Sequence, residues 1–378
     1  MRLGIKFTML ALSALFVMQA CAGNVAEQFN VLDFGARGDG KTDCTEAFNS
    51  AIAKCSSAKS IVVVPAGRYL CRTIHLQSDV ELRLSEGSEI LGWEDSEAYD
   101  NFVPQRDLSM YDSGNGTLNQ NNSKDARWNR ALILANNVDN VAITGSGTIN
   151  GRHVFDPKGE ERMRGPHAIV FGDCHNVRLE GISITCAANY AFMGYALENA
   201  VFRDVRISEG WDGIHIRGGV NVLIEGCRFE TGDDSVAGGY WTSMEMRDCY
   251  VNSSCNGVRM IMPSDGVNIH YCRFEGPGHY PHRTSGEARR TNMLYGVIIE
   301  PGGWGAAPGD LKGFCITDCT MENTLGPVAV SIGRDNHAYD LTVRNLTATG
   351  VYGKVCPVVN DGDKSFDKVT AENVTVSR

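Results

Sequence analysis

Residues 221–229 read NVLIEGCRF, and this nine-residue pattern recurs along the C-terminal half of the chain. The copies start mostly 22 to 28 residues apart, and one gap of 47 contains an insertion around GHYPHRTSGEARRTN. They are NVRLEGISI from 176, NAVFRDVRI from 199, SMEMRDCYV from 243, GVNIHYCRF from 266, GFCITDCTM from 313, DLTVRNLTA from 340 and KVTAENVTV from 368. A period of this length is typical of structures built by stacking repeated units.

Each repeat consists of short apolar or β-branched runs that alternate with period two and are separated by Gly, Asn or Asp. Strands this short bury their apolar face only when neighbouring units stack on them. The period is too short for a strand–helix–strand crossover, and the alternation differs from that of helical repeats. The sequence therefore predicts an all-β fold, a parallel β-helix with coils of about 22–28 residues.

The cysteines follow the same repeat. Its seventh position is occupied by Ile182, Val205, Cys227, Cys249, Cys272, Cys319, Leu346 and Val374. Because cysteine shares this column with Ile, Val and Leu, it is expected to act there as a small buried hydrophobe with a free thiol. Cys44 and Cys55 lie outside the column, and the sequence leaves open whether they pair.

Ahead of the repeats, residues 41–55 (KTDCTEAFNSAIAKC) predict a short amphipathic helix. Ala47, Phe48, Ala51 and Ile52 would form its buried face and close the N-terminal end of the solenoid, with Thr42 or Asp43 as the N-cap. Residues 95–130 are rich in Asn, Ser, Asp and Gly and are expected to form a long loop beside the coils.

Residues 1–22 have the pattern of an export signal: Arg2 and Lys6 precede a short apolar stretch. The residues up to Cys21 resemble a bacterial lipobox with Cys21 lipidated, while simple cleavage after small residues is the alternative. Residues 23–378 are then expected to form one catalytic β-helix domain. The protein would be exported by a bacterium as a periplasmic, outer-membrane or cell-surface lipoprotein, and it is expected to be a monomer.

The formal net charge of −10 argues against nucleic-acid binding, which requires a basic face. An acidic glycan remains compatible with this charge, because a local basic cluster is enough to hold it. No Cys/His spacing in the sequence matches a zinc site, so neither a metal nor a cofactor is expected.

Three aspartates carry the functional signal. Asp212 in GWDGIHI and Asp234 in TGDD are 22 residues apart, which is one coil, so they should stack at the same register about 5 Å apart. Asp233 adds a third carboxyl group. Because three close carboxylates repel one another, at least one should hold a proton at neutral pH. An acid beside an ionised base is what glycosidic cleavage requires, although an Asp-Asp pair in a solvated turn is a common alternative.

These motifs, together with VLDFGARGDGKTD and NVAITGSGTINGR, resemble glycoside hydrolase family 28, the polygalacturonases and their relatives, over nearly the whole mature chain. The resemblance implies a right-handed β-helix that cuts a pectic polysaccharide or oligosaccharide with inversion. It also implies Asp233 as the general acid, with Asp212 and Asp234 holding the attacking water. Inversion implies an acid–base separation of about 6.5–9.5 Å.

Two family motifs differ here: Cys255-Asn256-Gly257 stands where polygalacturonases carry Gly-His-Gly, and the substrate-binding Arg-Ile-Lys is missing. A branched or mixed pectic glycan, such as a rhamnogalacturonan fragment, is therefore expected as substrate rather than plain polygalacturonic acid. The residues expected to contact it are Asn256, Arg259, Tyr190, Arg289 and Arg290.

Several neighbours are ambiguous in sequence. The insertion carrying His279, His282, Arg283, Arg289 and Arg290 is read either as a solvated loop or as a rim that recognises a uronate. Tyr190 and Trp211 are either sugar-stacking or packed, His215 is expected in the core or at an edge, and Glu300 could face the cleft. Two rival functions remain: a Ca²⁺-dependent polysaccharide lyase on the same fold, and a β-helix that binds glycans without cutting them.

Overall fold

The computed structural model describes residues 26–55, 60–112, 121–283 and 289–378. The predicted signal segment 1–22, with Cys21, lies outside these ranges. Thirty strands are present in the described part: Gln28–Asn30 (β1), Asp39–Asp43 (β2), Ser60–Val64 (β3), Gly67–Cys71 (β4), Ile74–Leu76 (β5), Val80–Leu84 (β6), Ser88–Gly92 (β7), Ala131–Asn136 (β8), Ala142–Gly145 (β9), Thr148–Asn150 (β10), His167–Gly172 (β11), His175–Glu180 (β12), Ser183–Thr185 (β13), Phe192–Arg203 (β14), Arg206–Ser208 (β15), Ile214–Glu225 (β16), Arg228–Thr231 (β17), Val236–Arg247 (β18), Tyr250–Ser253 (β19), Val258–Met260 (β20), Asp265–His270 (β21), Arg273–Glu275 (β22), Met293–Ile299 (β23), Gly309–Thr317 (β24), Thr320–Glu322 (β25), Thr324–Val330 (β26), Asn336–Ala338 (β27), Asp340–Thr349 (β28), Val358–Asn360 (β29) and Lys368–Val376 (β30).

These strands stack in parallel and wind into coils with three faces. The first face holds β1, β3, β6, β9 and β12, the second halves of β14, β16 and β18, and then β21, β24, β28 and β30. The second runs from β2 through β4, β7, β10, β13, β15, β17, β19 and β22 to β25 and the end of β28. The third holds β5, β8 and β11, the first halves of β14, β16 and β18, and then β20, β23, β26 and β29. The predicted β-helix is confirmed.

An asparagine ladder marks one corner of the coils. Asn176, Asn199 and Asn221 each take a left-handed backbone conformation, with φ of 54°, which asparagine tolerates better than most residues. The side-chain amide of Asn199 donates to Asn176 Oδ1 at 3.2 Å, and that of Asn221 donates to Asn199 Oδ1 at 3.0 Å. The residue that begins several copies of the sequence repeat therefore turns the chain and joins successive coils.

Inward-facing side chains from the three faces form one continuous apolar core. The predicted cysteine column, Cys227, Cys249, Cys272 and Cys319, lies inside it, and all four thiols are free. Cys44 and Cys55, whose state the sequence left open, are also free.

The predicted cap is helix α1, Thr45–Lys54, which buries Ala47, Phe48, Ala51 and Ile52. The prediction of Thr42 or Asp43 as N-cap is wrong by one residue, because β2 runs through Asp43 and the helix begins after Cys44. Asp43 still accepts a hydrogen bond from the Thr45 backbone N–H at 3.0 Å.

Residues 95–130 form the expected long loop where the structure describes them, with two short 3-10 turns at Ser96–Ala98 and Ser109–Tyr111. Phe102, Leu108 and Trp128 pack this loop onto the outer side of the third face. No helix in the described ranges combines the length and apolar character needed to cross a bilayer.

Candidate active site

The three aspartates meet at one turn of the solenoid. Asp212 and Asp234 immediately precede the stretches where β16 and β18 pair, with Ile214 opposite Val236. The Gly213 N–H donates to the Asp234 carbonyl oxygen at 2.9 Å, which fixes the one-coil register. Each aspartate, Asp233 included, contributes one oxygen to a set lying within 4.8 Å of one another.

The predicted stacking is therefore confirmed, but the separation expected for inversion is not found between the nearest oxygens. They lie closer than about 6.5–9.5 Å. The physical reason is twofold: Asp212 and Asp234 lie on adjacent coils, spaced by about 4.8 Å like any parallel strands, and Asp233 is the chain neighbour of Asp234. The carboxylate spacing thus follows from the coil repeat and the chain connectivity and does not by itself indicate the stereochemistry of cleavage.

Burial and nearby charges shift the pKa values of the three carboxyl groups in different directions. Burial raises the pKa of Asp212 well above its usual range, and the charges of Asp233 and Asp234 add to this. Burial also raises the pKa of Asp234, with the Arg259 charge opposing it. For Asp233 burial is outweighed by His282 and two arginines, so its pKa falls below the usual range. Of the three carboxyl groups, burial and mutual repulsion favour the protonated form most strongly at Asp212.

Asp234 is held by its neighbours on the next coil. Its Oδ1 accepts from the backbone N–H of Asn256 at 3.0 Å and from the side-chain amide of Asn256 at 2.8 Å. Its Oδ2 lies 3.5 Å from Arg259 Nη1. The Asn256 side-chain oxygen accepts from the Tyr295 backbone N–H at 3.2 Å. The polar atoms of the Asn256 side chain thus bond within the chain and fix the position of Asp234, while its contact with substrate stays a prediction.

Asp212 is oriented by a buried imidazole. Arg217 Nε donates to His215 Nε2 at 3.0 Å, so the proton of a neutral His215 lies on Nδ1, which donates to Asp212 Oδ2 at 2.6 Å. Burial, followed by the charge of Arg217, lowers the pKa of His215 well below its usual range and keeps it neutral. His215 is buried, as expected, but the sequence did not predict that it would bond to Asp212.

Asp233 has two cationic or ionisable partners. Arg164 Nη2 lies 3.7 Å from its Oδ2, and His282 Nε2 lies 3.5 Å from its Oδ1. Arg164 also bonds to Glu161 at 2.6 Å. It is buried, and its guanidinium lies 5.1 Å from the ring centre of Trp211 and 5.5 Å from that of Tyr190. Sequence reasoning missed Arg164, which comes from an irregular loop.

A cavity of about 60 Å³ opens over the aspartates. Its lining comes from seven separate stretches of the chain: Asn121, Glu160, Glu161, Arg164, Tyr190, Asp212, His215, Arg217, Asp233, Asp234, Ala237, Arg259, Ile261 and Trp304. A larger groove of about 520 Å³ lies on the first face of the N-terminal coils and is lined by none of the predicted site residues. The chemistry therefore belongs to the smaller cavity.

The predicted substrate-binding residues are divided by the structure. Arg259 lines the cavity, bonds to Glu300 at 2.6 Å and lies 5.2 Å from the Trp304 ring centre. Arg289 is exposed and outside the described lining, while Arg290 Nη2 contacts the sulfur of Cys255 at 3.2 Å.

The two aromatic candidates are packed. The Tyr190 ring stacks on His215 with centroids 4.7 Å apart and reaches the cavity with little exposed surface. Trp211 is fully buried. Both rings pack against Arg164, and Tyr190 also packs against His215, so neither offers an open face to a sugar.

The aspartate trio is close enough to share a cation, as is a second group made of His153, Cys186 and Glu209. In each group a guanidinium already lies near an acidic member: Arg164 beside Asp233, and Arg283 at 3.2 Å from Glu209. The described residues at both places form ion pairs within the chain.

The pKa of Asp212 gives a stability prediction. Because its folded-state pKa is raised, its burial destabilises the fold above the unfolded pKa of about 3.9, and this penalty is absent below that pH. We expect Asp212→Asn to increase the free energy of unfolding at pH 7 and to change it little near pH 3. Urea unfolding at both pH values measures this. The exposed Asp248→Asn serves as control, and an equal effect of Asp212→Asn at both pH values would contradict the assignment.

Comparisons with known proteins agree with this site. Residues 28–276 match the family model described as rhamnogalacturonase A/epimerase, pectate lyase-like. The chain is 25% identical over 325 residues to polygalacturonase QRT2 from Arabidopsis thaliana, covering 80% of this chain and 64% of that protein. The chain thus spans less than two thirds of this relative's length. The resemblance to polygalacturonases that the motifs indicated is confirmed.

Solved structures share the fold at lower identity. The polygalacturonase of Erwinia carotovora ssp. carotovora superimposes with a TM-score of 0.67 at 17% identity, covering 88% of this chain and 90% of that one. PfbA, a surface adhesin of Streptococcus pneumoniae, gives a TM-score of 0.60 at 16% identity, covering 94% and 82%. The polygalacturonase supports the right-handed winding of the coils. With two thirds of its length matched by the family model, this chain belongs to the rhamnogalacturonase A/epimerase, pectate lyase-like family.

Proposed function

We propose that this protein is a glycoside hydrolase that cleaves a pectic polysaccharide or oligosaccharide by acid/base catalysis, with no metal in the reaction. The observation that carries the proposal is the meeting of three buried carboxylates within 4.8 Å in a lined cavity. A polar trio buried at this cost to stability is a common mark of a functional site. The polygalacturonase relatives supply the reaction class.

The resemblance to the polygalacturonases supplies the catalytic roles, and the contacts suggest how neighbouring residues support them. Asp233 donates a proton to the leaving glycosidic oxygen, and Asp212 and Asp234 hold the attacking water. Asn256 and Arg259 orient Asp234 and oppose the rise in its pKa that burial causes, since both interact with its carboxylate. His215 presents Asp212 to the same water through its Nδ1–H.

An acidic sugar suits the cavity because three arginines line it, Arg164, Arg217 and Arg259. Guanidinium groups form strong paired hydrogen bonds with carboxylates. Such a local cluster of positive charge can attract an acidic sugar even though the protein as a whole is negatively charged. These arginines stand in different positions from the missing Arg-Ile-Lys. We therefore propose a uronate-containing pectic glycan, with a branched or mixed backbone preferred over plain polygalacturonic acid.

The test is a panel of pectic fragments, including polygalacturonic acid and rhamnogalacturonan oligosaccharides, assayed for new reducing ends. Proton NMR of the first product reports whether the anomeric configuration inverts. Inversion supports the water-holding roles of Asp212 and Asp234, whereas retention would make one of them a nucleophile. Efficient cleavage of plain polygalacturonic acid would overturn the proposed substrate preference.

The same assays separate the rival functions. Activity is expected to survive exhaustive chelation. If EDTA abolishes activity and Ca²⁺ restores it, and the product is unsaturated and absorbs at about 235 nm, the protein is a lyase with Ca²⁺ on the carboxylates. Glycan binding without new reducing ends, unchanged in the Asp212, Asp233 and Asp234 variants, would establish a binding protein.

We further propose that the protein acts outside the cytoplasm as a lipid-anchored monomer, on the basis of the signal pattern ending at Cys21. Metabolic labelling with a fatty-acid analogue tests this, with Cys21→Ser as the control. Labelling of both forms, or of neither, would overturn the lipid anchor.

A further inference from the structure

Residues 277–283, the start of the insertion after β22, fold back over the aspartate turn. The Asn252 side-chain amide donates to the Pro277 carbonyl at 2.8 Å, and its oxygen accepts from the His279 backbone N–H at 2.7 Å. The Ser254 hydroxyl donates to the Tyr280 carbonyl. These contacts fasten the start of the insertion to the coil that carries Asn256.

A second fastening holds the next residues. Arg283 Nη2 lies 3.2 Å from Glu209 Oε2 and 2.8 Å from His153 Nε2. Its guanidinium also lies 5.2 Å from the ring centre of Phe155 and 5.9 Å from that of Trp211. Arg283 is thus pinned between two loops and the aspartate coil, and its neighbour His282 is placed with it.

This placement brings His282 Nε2 to 3.5 Å from Asp233 Oδ1, with about 13% of the imidazole exposed. Its backbone N–H donates to the Arg290 carbonyl at 2.9 Å. Asp212 and Asp234 face the pair within 4.8 Å of Asp233, as does Cys255. Arg164 lies at the other Asp233 oxygen, Arg290 lies against the Cys255 sulfur, and the charge of Arg259 also acts on Asp233. Asn256 occupies the column position beside Asp234, so the imidazole next to Asp233 comes from a different part of the chain.

The proposed reaction raises a difficulty that this pair resolves. A general acid must carry a proton when the glycosidic oxygen leaves. His282 and Arg164 hold the pKa of Asp233 below its usual range, while burial raises that of Asp212. The surroundings of Asp233 therefore favour its ionised form, whereas the role of acid requires the protonated form.

We propose that His282 supplies Asp233 with the proton that it donates to the leaving group. This inference rests on the proposed hydrolysis. The Nε2–H bond of the imidazolium breaks as an O–H bond forms on Asp233. That O–H bond then breaks as the leaving oxygen gains the proton and the sugar C–O bond is cut. One proton of the attacking water stays on the new hydroxyl, the other passes through Asp212 or Asp234 to solvent, and solvent reprotonates His282.

The experiment compares wild type, His282→Gln and His279→Gln, using the pectic oligosaccharide that the panel identifies and a nitrophenyl galacturonide. His279 is the matched control, since it lies on the same insertion, exposed and 3.5 Å from Glu230. We expect His282→Gln to lower kcat about 100-fold on the oligosaccharide with KM changed less than about threefold. The alkaline limb of its pH profile should shift to lower pH. The nitrophenyl substrate needs little acid assistance, so its rate should fall less than tenfold.

The outcomes are distinct. An inactive wild type would refute the proposed function itself. An active wild type with an unchanged His282→Gln would overturn this inference, and so would an equal loss on both substrates, which indicates a structural role only. If His282→Gln fails to fold, Glu209→Gln loosens the Arg283 fastening instead. It should then show a smaller loss with the same dependence on the leaving group, and a loss independent of the leaving group would again overturn the inference.

Discussion

Asp233→Asn is expected to lower turnover by about 10²–10⁴-fold while leaving the fold and substrate binding largely intact. The amide has nearly the same shape as the acid but no proton to give to the leaving oxygen. Turnover on the pectic substrate, with binding measured by calorimetry, checks this. As for His282→Gln, a nitrophenyl leaving group should recover most of the lost rate.

The control for this variant is Asp248→Asn, which makes the same chemical change at an exposed position on the following coil. Asp248 has a φ of 53°, which asparagine also accepts, so wild-type turnover is expected. More than about a tenth of wild-type turnover in Asp233→Asn would contradict its role as the acid, since acid catalysis contributes at least about 10²-fold.

Arg164→Met is expected to have the largest effect on stability, about 3–5 kcal/mol in the free energy of unfolding at neutral pH. The thioether fits among the aromatic rings, but Asp233 and Glu161 lose the cation that compensates them. Because Asp233 is then freer to bind a proton, the loss should shrink as the pH falls toward 4. Denaturant unfolding at both pH values measures it.

Two further variants serve as controls for this prediction. Arg162→Met removes an exposed cation two residues away and should change stability by less than about 0.5 kcal/mol. Arg164→Lys keeps the charge without the planar guanidinium and should recover part of the stability. A pH-independent loss in Arg164→Met would show that packing, and not charge, is what Arg164 contributes.

Most of the structure that could be predicted from the sequence follows from the coil period. It places Asp212 against Asp234 and the cysteine column in the core, because parallel stacking turns a fixed sequence interval into contact. The alternation of inward and outward side chains also determines where His215 points. Ile214 and Ile216 face the core, so His215 between them faces outward, toward the loops that cover the aspartates.

What the sequence could not place comes from outside the repeat. Arg164 and His282 lie on irregular segments with no period, and each reaches Asp233 through fastenings elsewhere, such as Arg283 on Glu209. Such contacts depend on how loops pack onto a finished solenoid. The contact of Asn256 with Asp234 could not be predicted for a related reason. The repeat places Asn256 one coil beyond Asp234, but it does not determine whether the side-chain amide points toward substrate or toward Asp234, which depends on contacts of about 3 Å.

The stacking of Asp212 on Asp234 also means that distances in this site are quantised. Along the solenoid axis, equivalent backbone positions on different coils are separated by whole multiples of about 4.8 Å. A site of this kind cannot be widened gradually by small backbone shifts. New dimensions require a side chain moved by one coil, or a group brought in sideways, as the insertion brings His282. The insertions between coils are therefore where a continuous range of geometries, and with it a change of substrate, is open to this fold.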